Sequence, residues 1–465
     1  MNETEVSAPG VGEAEAAGAE PSVAWLRDVG RRSAMRVRRV PLAELDGWET
    51  DPDTGDIRHR SGRFFTVAGL SVEPQDGDAR DTGPGWRQPI IDQPEVGVLG
   101  LLAKEFGGER HFLMQAKAEP GNHNEHQLSP TVQATRSNYT RVHRGRSVPY
   151  LGYFQDPRRH RVLADVRQSE QGAWFLRKRN RNMIVEVTDD VVLADGFRWT
   201  TRAELDRLLA AGDYVNMDAR SVLSHLPPPG PPGTPRHSEG ELLSWLTAHR
   251  CEEPLRVRRV PLRAVTGWVR TPEHIAHEQG RYFDVIGVHA ESAHREVTSW
   301  QQPMLRPREG GVIAFLLRWF DGTPHVLTRV HREPGYADVA ELGPTVQCTP
   351  GNYAHLPPSA RPPLLAEVLA APRSRILFDA TLSEEGGRFY HARNRYLVVA
   401  TDRDPESPTG DHRDLFRWVT PHQLAALLQH SHYVNVQARS LIACLHSLLS
   451  TPSAPSAPPG GFHGR

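Results

Sequence analysis

Apolar residues along the chain gather in short runs of strand length more often than at helical spacing. Arg63-Phe-Phe-Thr-Val67, His111-Phe-Leu-Met-Gln-Ala-Lys117 and Met183-Ile-Val-Glu-Val187 read as strands. The shorter Trp174-Phe-Leu and the later Arg375-Ile-Leu-Phe and Arg388-Phe-Tyr-His read the same way, and Ser383-Glu-Glu-Gly-Gly387 between the last two is a hairpin signal. Helical signals are fewer. Short helices are expected around Trp25 and Trp245, and Val96-Gly-Val-Leu-Gly-Leu-Leu102 reads as a helix carrying two glycines. Thr201 with Glu204 forms a capping box ahead of Leu205, Leu208 and Leu209, and Thr420 with Pro421 and Gln423 repeats it. Strands and helices do not alternate regularly, so the pattern predicts an α+β fold rather than a doubly wound parallel sheet.

The pattern occurs twice. Arg36-Val-Arg-Arg-Val-Pro-Leu42 returns as Arg256-Val-Arg-Arg-Val-Pro-Leu262, Leu128-Ser-Pro-Thr-Val-Gln-Ala-Thr135 as Leu342-Gly-Pro-Thr-Val-Gln-Cys-Thr349, and Tyr214-Val-Asn-Met-Asp-Ala-Arg-Ser221 as Tyr433-Val-Asn-Val-Gln-Ala-Arg-Ser440. The repeat is far longer than a solenoid unit, so the chain holds two duplicated domains. They are expected over residues 21–226 and 239–449. The Pro/Gly-rich stretch 227–238 reads as a stiff linker, and residues 1–20 and 450–465 read as disordered tails. Duplication supplies an internal control. A residue kept in both copies serves the fold or a shared ligand, whereas a polar residue found in one copy is a candidate for chemistry.

Composition narrows the options. The formal charge of −1 gives no support for nucleic-acid binding. Three scattered cysteines form no disulfide framework or zinc pattern, which suits a reducing compartment. No apolar run is long enough to span a membrane and no signal peptide is visible, so a cytoplasmic location is expected. The chain has no dinucleotide-binding glycine fingerprint, phosphate-binding loop, His-Glu-x-x-His or Gly-x-Ser-x-Gly. His123-Asn-Glu-His126 is a poor metal site, because copy two has Ala337-Asp-Val-Ala340 there, the flanking Gly121 and Asn122 suggest a loop, and first-row metals want three or four convergent ligands.

The densest polar block runs from Met114 to His143. Glu119, Thr131, Gln133, Thr135, Asn138 and Tyr139 match Glu333, Thr345, Gln347, Thr349, Asn352 and Tyr353. Lys117, Arg136, Ser137, Arg141 and His143 are replaced by His331, Pro350, Gly351, His355 and Pro357, so copy one alone keeps a cationic, proton-transferring set. A second constellation joins Ser169-Glu-Gln-Gly172 to Arg179-Asn-Arg-Asn182, followed by Asn216, Asp218 and Arg220. Arg and Asn side chains suit phosphate and base-edge hydrogen bonds. Trp86 and Trp300, each ahead of a Gln-Pro pair, are either core tryptophans or stacking platforms for a base.

The strings Trp86-Arg-Gln-Pro-Ile-Ile, Gln115-Ala-Lys-Ala-Glu-Pro-Gly-Asn122, Gln127 to His143, Ser169-Glu-Gln-Gly and Lys178-Arg-Asn-Arg-Asn-Met183 closely resemble the NDP-hexose 2,3-dehydratases of deoxysugar pathways in antibiotic-producing bacteria. The resemblance covers residues 21–449. It implies a duplicated Nudix-hydrolase-like fold, a homodimer, two sugar-nucleotide pockets per chain with the second a remnant, and dTDP-4-keto-6-deoxyglucose as substrate. A 3-ketoreductase would consume the labile product. Neither copy carries the Gly-x5-Glu-x7-Arg-Glu-x2-Glu-Glu-x-Gly box that holds magnesium in Nudix hydrolases, which argues against pyrophosphate hydrolysis. A non-catalytic sugar-nucleotide sensor is the remaining rival.

Dehydration of a 4-ketosugar needs a base at carbon 3, a cation or donor at the carbon 4 oxygen and an acid at carbon 2. The ketone is its own electron sink, so no cofactor is expected. Tyr139 or His143 is expected to shuttle protons, Lys117 or Arg141 to stabilise the enolate, and Glu119 to orient Lys117. Substrate contacts are expected from Trp86, Gln88, Thr131, Gln133, Thr135 and the Arg136-Ser-Asn138 run. Ser169, Glu170, Arg179, Asn180, Arg181, Asn182, Asn216 and Arg220 complete the expected set.

Overall fold

The two halves of the chain build the same set of strands, and each half borrows one from the other. The structure is a computed structural model that describes residues 21–74, 85–135, 147–252, 255–292, 297–338, 340–357, 360–404 and 413–450. The first half opens on a helix, Pro21–Arg32. It continues through β1 (Met35–Val40), β2 (Trp48–Thr50), β3 (Ile57–His59), β4 (Thr66–Pro74), β5 (Trp86–Asp92), β6 (Gly97–Phe106), β7 (Glu109–Ala118), β8 (His126–Ser129), β9 (Val132–Ala134), β10 (Arg161–Ser169), β11 (Arg179–Glu186) and β12 (Phe197–Thr201). Helices Arg202–Ala211 and Met217–Leu223 close it. The second half repeats the order: helix Glu239–Cys251, then β13 (Leu255–Val260), β14 (Trp268–Arg270), β15 (His274–His277), β16 (Phe283–Ser292), β17 (Ser299–Pro307), β18 (Gly311–Phe320), β19 (Thr323–Arg332), β20 (Ala340–Gly343), β21 (Val346–Cys348), β22 (Ile376–Ser383), β23 (Arg393–Ala400) and β24 (Phe416–Val419). Helices Pro421–Leu427 and Val436–Ser450 end it. This is an α+β fold with two similar regions of mixed sheet and helix.

Each half has a seven-stranded sheet, in order β10-β11-β6-β7-β12 with β8 and β9 at its flank, or β22-β23-β18-β19-β20 with β21 and β24 attached. β6 runs parallel to β11 and β18 parallel to β23; the remaining pairs in these sheets are antiparallel. The five-stranded sheets are mixed in origin. β1 pairs with β16 of the other half, from Met35 opposite Ser292 to Val40 opposite Gly287. β13 pairs with β4, from Leu255 opposite Pro74 to Val260 opposite Gly69. The Arg-Val-Arg-Arg-Val repeats thus serve as exchanged strands whose arginines face outward. Gly287 is required at the end of this register, because a Cβ there would lie 2.6 Å from the Val40 carbonyl oxygen. Beneath the exchanged strands one hydrophobic cluster joins Leu42, Phe65, Ile91 and Phe175 to Leu262, Phe283, Leu305 and Phe389, so the two halves share a core. The helix Val436–Ser450 also packs on both closing helices of the first half.

Three local expectations need correction. Of residues 96–102, read as a helix, all but Val96 belong to strand β6. A strand buried on both faces shows a continuous apolar run, which hides its period of two. Gly100 is there because the Phe154 ring lies 2.6 Å from where a Cβ would sit. Trp174-Phe-Leu and Arg388-Phe-Tyr-His are not strands. Each makes a single bridge, Phe175 with Ile91 and Phe389 with Leu305, and the two phenylalanine rings meet at 5.2 Å in the shared core. At Thr201 only half of the capping box forms. Its hydroxyl accepts from the Glu204 amide at 3.1 Å, while the Glu204 carboxylate takes the Ser22 amide at 2.8 Å. The box at Thr420 with Gln423 is complete.

Candidate active site

The polar loop at the end of β7 docks against the β22–β23 connection of the other half. The Gly121 amide donates to the Gly386 carbonyl at 2.7 Å, and the His391 amide donates to the Gly121 carbonyl at 2.8 Å. The mirror seam joins Gly335 to Gly172 at 2.8 Å and Arg177 to Gly335 at 2.7 Å. Each seam is therefore built from both halves, and any cavity beside it is composite.

One cavity of about 260 Å³ lies beside the first seam. β7 and its following loop contribute Lys117 and Glu119, β9 and the next residue contribute Gln133 and Thr135, and β11 with its approach contributes Lys178 and Asn180. Glu170 and Asp218 complete the contribution of the first half. The second half supplies Trp300, Gln301 and Gln302 from β17, and Glu385 and Arg388 from the docked connection. Trp48, His59, Phe64 and Phe65 make an aromatic wall.

The polar lining is held in place by short contacts. Glu119 accepts from Gln133 at 2.9 Å and faces the Lys117 ammonium at 3.7 Å, and Lys117 also donates to the Gln133 carbonyl at 3.1 Å. Asn216 caps the helix Met217–Leu223 and donates to Gln133 at 3.1 Å, fixing that side chain from behind. Asn180 donates to Glu170 at 2.7 Å. Lys178 donates to the Glu95 carbonyl at 2.5 Å. The Glu385 carboxylate accepts the Gly387 and Arg388 amides at 2.9 and 2.8 Å. Among the described residues, one oxygen each of Glu170 and Asp218 is buried without a hydrogen-bond partner.

Four carboxyls and three cations in so small a space cannot all keep their usual charge. Burial, reinforced by Glu170, Glu385 and Glu119, pushes the Asp218 carboxyl well above the ordinary range, against the pull of Lys117. Burial and the Glu119 charge raise Glu385 to about 7, against the pull of Arg388. Burial also raises Glu170, against Arg439, Asn180 and Lys178. Burial lowers Lys178 to about 8, with Glu170 opposing. The cavity thus holds carboxyls that can carry or release a proton near neutral pH beside fixed positive charge.

The mirror seam also holds raised carboxyls, since burial lifts Glu333 to about 6 and Glu341 to about 8, but it lacks the other charged groups of the cavity. Lys117, Asp218 and Lys178 have His331, Gln437 and Ala392 as counterparts, and Glu385 and Arg388 have Gln171 and Trp174. Tyr336 stands where copy one has Asn122. It is 2% exposed, its hydroxyl accepts from Asn435 at 3.1 Å, and its ring crowds Gly172. Glu333 there is tied to the Ala173 amide at 3.0 Å and to Gln347 at 2.8 Å.

Of the residues expected at the site, the structure brings Lys117, Glu119, Gln133, Thr135, Glu170 and Asn180 to one cavity. Tyr139, His143, Arg141, Arg136, Ser137 and Asn138 lie outside the described residues. Others are placed elsewhere. Trp86 and Gln88 sit at the mirror seam, where Gln88 donates to the Ala173 carbonyl at 2.7 Å; their counterparts Trp300 and Gln302 line the cavity instead. The docked connections account for this crossing: β5 bridges Phe175 beside Gly335, and β17 bridges Phe389 beside Gly121. Thr131 is buried within its own sheet, donating to the Leu113 carbonyl at 2.5 Å and accepting from the Leu102 amide at 2.9 Å. Arg220 is fully buried and clamps the Val215 carbonyl, at 2.6 Å, to the Ser383 carbonyl of the other half. Ser169 donates to Glu341 at 2.5 Å, Asn182 accepts from Ser221 at 2.9 Å, and Arg181 pairs with Asp165 at 2.6 Å. Arg179 pairs with Ser169 on the sheet and is absent from the cavity lining. Sequence reasoning missed Lys178, Glu385 and Arg388 as cavity residues, weighed Trp300 as a stacking platform without assigning it to the site, and quoted Asp218 without assigning it a site. The signal was available: the charged members are charged in one copy only.

The family model described as NDP-hexose 2,3-dehydratase matches residues 19–226 and again 239–445. The chain belongs to this family. Among similar proteins, dTDP-4-dehydro-6-deoxy-alpha-D-glucopyranose 2,3-dehydratase of Amycolatopsis orientalis is 51% identical over 431 residues, covering 92% of this chain and 90% of that one. The protein with the same name from Streptomyces violaceoruber is 48% identical over 437 residues, covering 91% and 96%. A third, from Saccharopolyspora spinosa, is 46% identical over 447 residues. Membership covers both halves, as the composite cavity requires. No helix among the described residues is long and apolar enough to cross a membrane.

Proposed function

We propose that the protein is a lyase that removes the carbon 2 hydroxyl of dTDP-4-keto-6-deoxyglucose as water, giving a 3,4-diketo-2,6-dideoxyhexose nucleotide. The observation that carries this reading is the composite cavity, in a chain whose relatives bear that activity in their names. The carbon 4 ketone acidifies the hydrogen on carbon 3. Its removal leaves an enolate whose oxygen needs a cation, and Lys117, held between Glu119 and the Gln133 carbonyl, is our candidate for it. Re-forming the ketone expels the carbon 2 hydroxyl, protonated as it leaves. The resulting enol tautomerises. His143 or Tyr139 is our candidate for the proton delivered to that hydroxyl, since histidine titrates near neutral pH and a tyrosine beside cations has a lowered pKa. Gln133, Thr135 and Asn180 are the proposed polar contacts to the substrate, and Trp300 is the proposed platform for the base.

The rest of the reading follows the family resemblance. The fold is a duplicated Nudix-like one, the first half carries the working pocket and the second a remnant, and the protein is a cytoplasmic homodimer that hands its product to a 3-ketoreductase. Tyr336 in the mirror pocket supports the remnant. The sequence lacks the Nudix glutamate box, so turnover is expected to survive chelation. The test is incubation with dTDP-4-keto-6-deoxyglucose and a trapping ketoreductase. Product lacking the carbon 2 oxygen is expected. Release of sugar phosphate, dependent on magnesium, would establish a hydrolase instead.

A further inference from the structure

The first half's cavity receives two charged side chains, Glu385 and Arg388, from the second half. We propose that Glu385 is the catalytic base that takes the proton from carbon 3, so that the second half supplies a reacting group to the first half's pocket. This rests on the dehydratase reading and adds to it the residue and the half that provide the base.

Three observations converge on Glu385. Its carboxylate lines the cavity together with Lys117 and Asp218. It is fixed rather than free to swing, because the Gly387 and Arg388 amides hold its two oxygens at 2.9 and 2.8 Å. Those bonds leave further lone pairs for a substrate proton. Its counterpart across the pseudo-symmetry is Gln171, a neutral isostere that donates to Glu384 at 2.9 Å beside the seam where Tyr336 is buried. Glu119 is a weaker candidate. Glu333 matches it in the mirror half, and its oxygen is already engaged by Gln133 and faced by Lys117.

Electrostatics suit the role. Burial and Glu119 bring Glu385 to about 7 against Arg388, so it is substantially ionised at neutral pH yet basic enough to accept a proton. Burial and the neighbouring carboxylates push Asp218 well above the usual range, which works against a further negative charge in the cluster. The remaining charges facing this space are Glu119, Glu170, Lys117, Lys178 and Arg388, with His59 on the aromatic wall. In the step itself the carbon 3–hydrogen bond breaks, the proton passes to Glu385, and the electron pair forms the carbon 3–carbon 4 double bond with charge on the carbon 4 oxygen. That pair then forms the carbon 2–carbon 3 double bond as the ketone returns and the carbon 2 hydroxyl, protonated by the general acid, leaves as water.

The experiment compares the wild type with Glu385→Gln and Glu385→Asp in deuterated water, measuring carbon 3 exchange, water loss and dTDP affinity. Gln171 shows that glutamine is accommodated at this point of the connection. Glu385→Gln should lose both exchange and turnover by about 100-fold or more. Its dTDP affinity should stay within about threefold, a difference of under about 0.7 kcal/mol. Glu385→Asp should recover part of the rate, and the acidic limb of the wild-type pH profile should vanish in the glutamine variant. Retained exchange in Glu385→Gln, or a fall in turnover matched by the fall in dTDP affinity, would overturn the assignment. If the wild type itself removes no water, the dehydratase reading fails and this assignment with it.

Discussion

Gly121→Ala should break the seam that joins the two halves at the cavity. A Cβ at Gly121 would lie 1.8 Å from the Phe389 carbonyl oxygen and 2.7 Å from that of Gly386, so backbone must move. The movement removes two backbone hydrogen bonds, Gly121 to Gly386 and His391 to Gly121. At about 1 kcal/mol each they sum to about 2 kcal/mol. Overpacking a rigid junction adds about 1–3 kcal/mol, giving about 3–5 kcal/mol in total. For 465 residues the unfolding entropy is on the order of 1 kcal/mol per degree, so Tm should fall by about 3–5 °C. Calorimetry is the assay. Because the halves exchange strands and share a core, the wild type should unfold in one transition, and the variant should shift it whole. Turnover should fall too, since Glu119 and Glu385 stand on opposite sides of this seam. An unchanged Tm with unchanged turnover would refute the composite site, and two separate transitions would refute the shared core.

Other expectations follow from single residues. His446 is fully buried, both ring nitrogens lack a partner among the described residues, and burial lowers it to about 3. Its folded pKa lies below its unfolded value near 6.5, so the unfolded chain binds the extra proton first and stability falls as pH drops from about 6.5 toward 3. At pH 5 the loss is about 2 kcal/mol. His446→Leu should flatten that acid slope in urea titrations, and an unchanged slope would contradict the burial argument. In the free enzyme kcat/KM should rise with pH through about 7 as Glu385 ionises and fall above about 8 as Lys178 loses its charge; Lys178→Met should abolish the alkaline limb. Tyr139→Phe or His143→Ala should slow turnover greatly while Tyr353→Phe leaves it nearly intact, and equal losses from both sets would remove the distinction between the halves.

Much of the fold was legible because strand periodicity and duplication are local properties of the sequence. β6 was not, since a strand buried on both faces loses its alternation. The exchange of β1 and β13 was hidden for a different reason: the two strands carry the same motif, so nothing local says which half each one joins. Trp86 and Gln88 went to the wrong seam, and Glu385 and Arg388 stayed out of view, because the β10–β11 and β22–β23 connections dock across the halves, which no local pattern signals. Thr131 and Arg220 were read as ligand groups because they are polar. Both persist as Thr345 and Arg439, and both hold backbone carbonyls: Arg220 clamps Ser383, as Arg439 clamps Ser169 at 2.6 Å. Conversely, charges present in one copy only, at Lys117, Asp218, Lys178, Glu385 and Arg388, converge on one cavity once the crossing is known.

The central claim is that chemistry runs in the cavity shared by Lys117 and Glu385 and not at the mirror seam. A crystal structure of the protein with dTDP bound tests it most directly. The account predicts the nucleotide against Trp300, with its diphosphate directed so that an attached sugar would lie between Lys117 and Glu385. Nucleotide bound beside Tyr336 and His331, with the Lys117 cavity left empty, would contradict it.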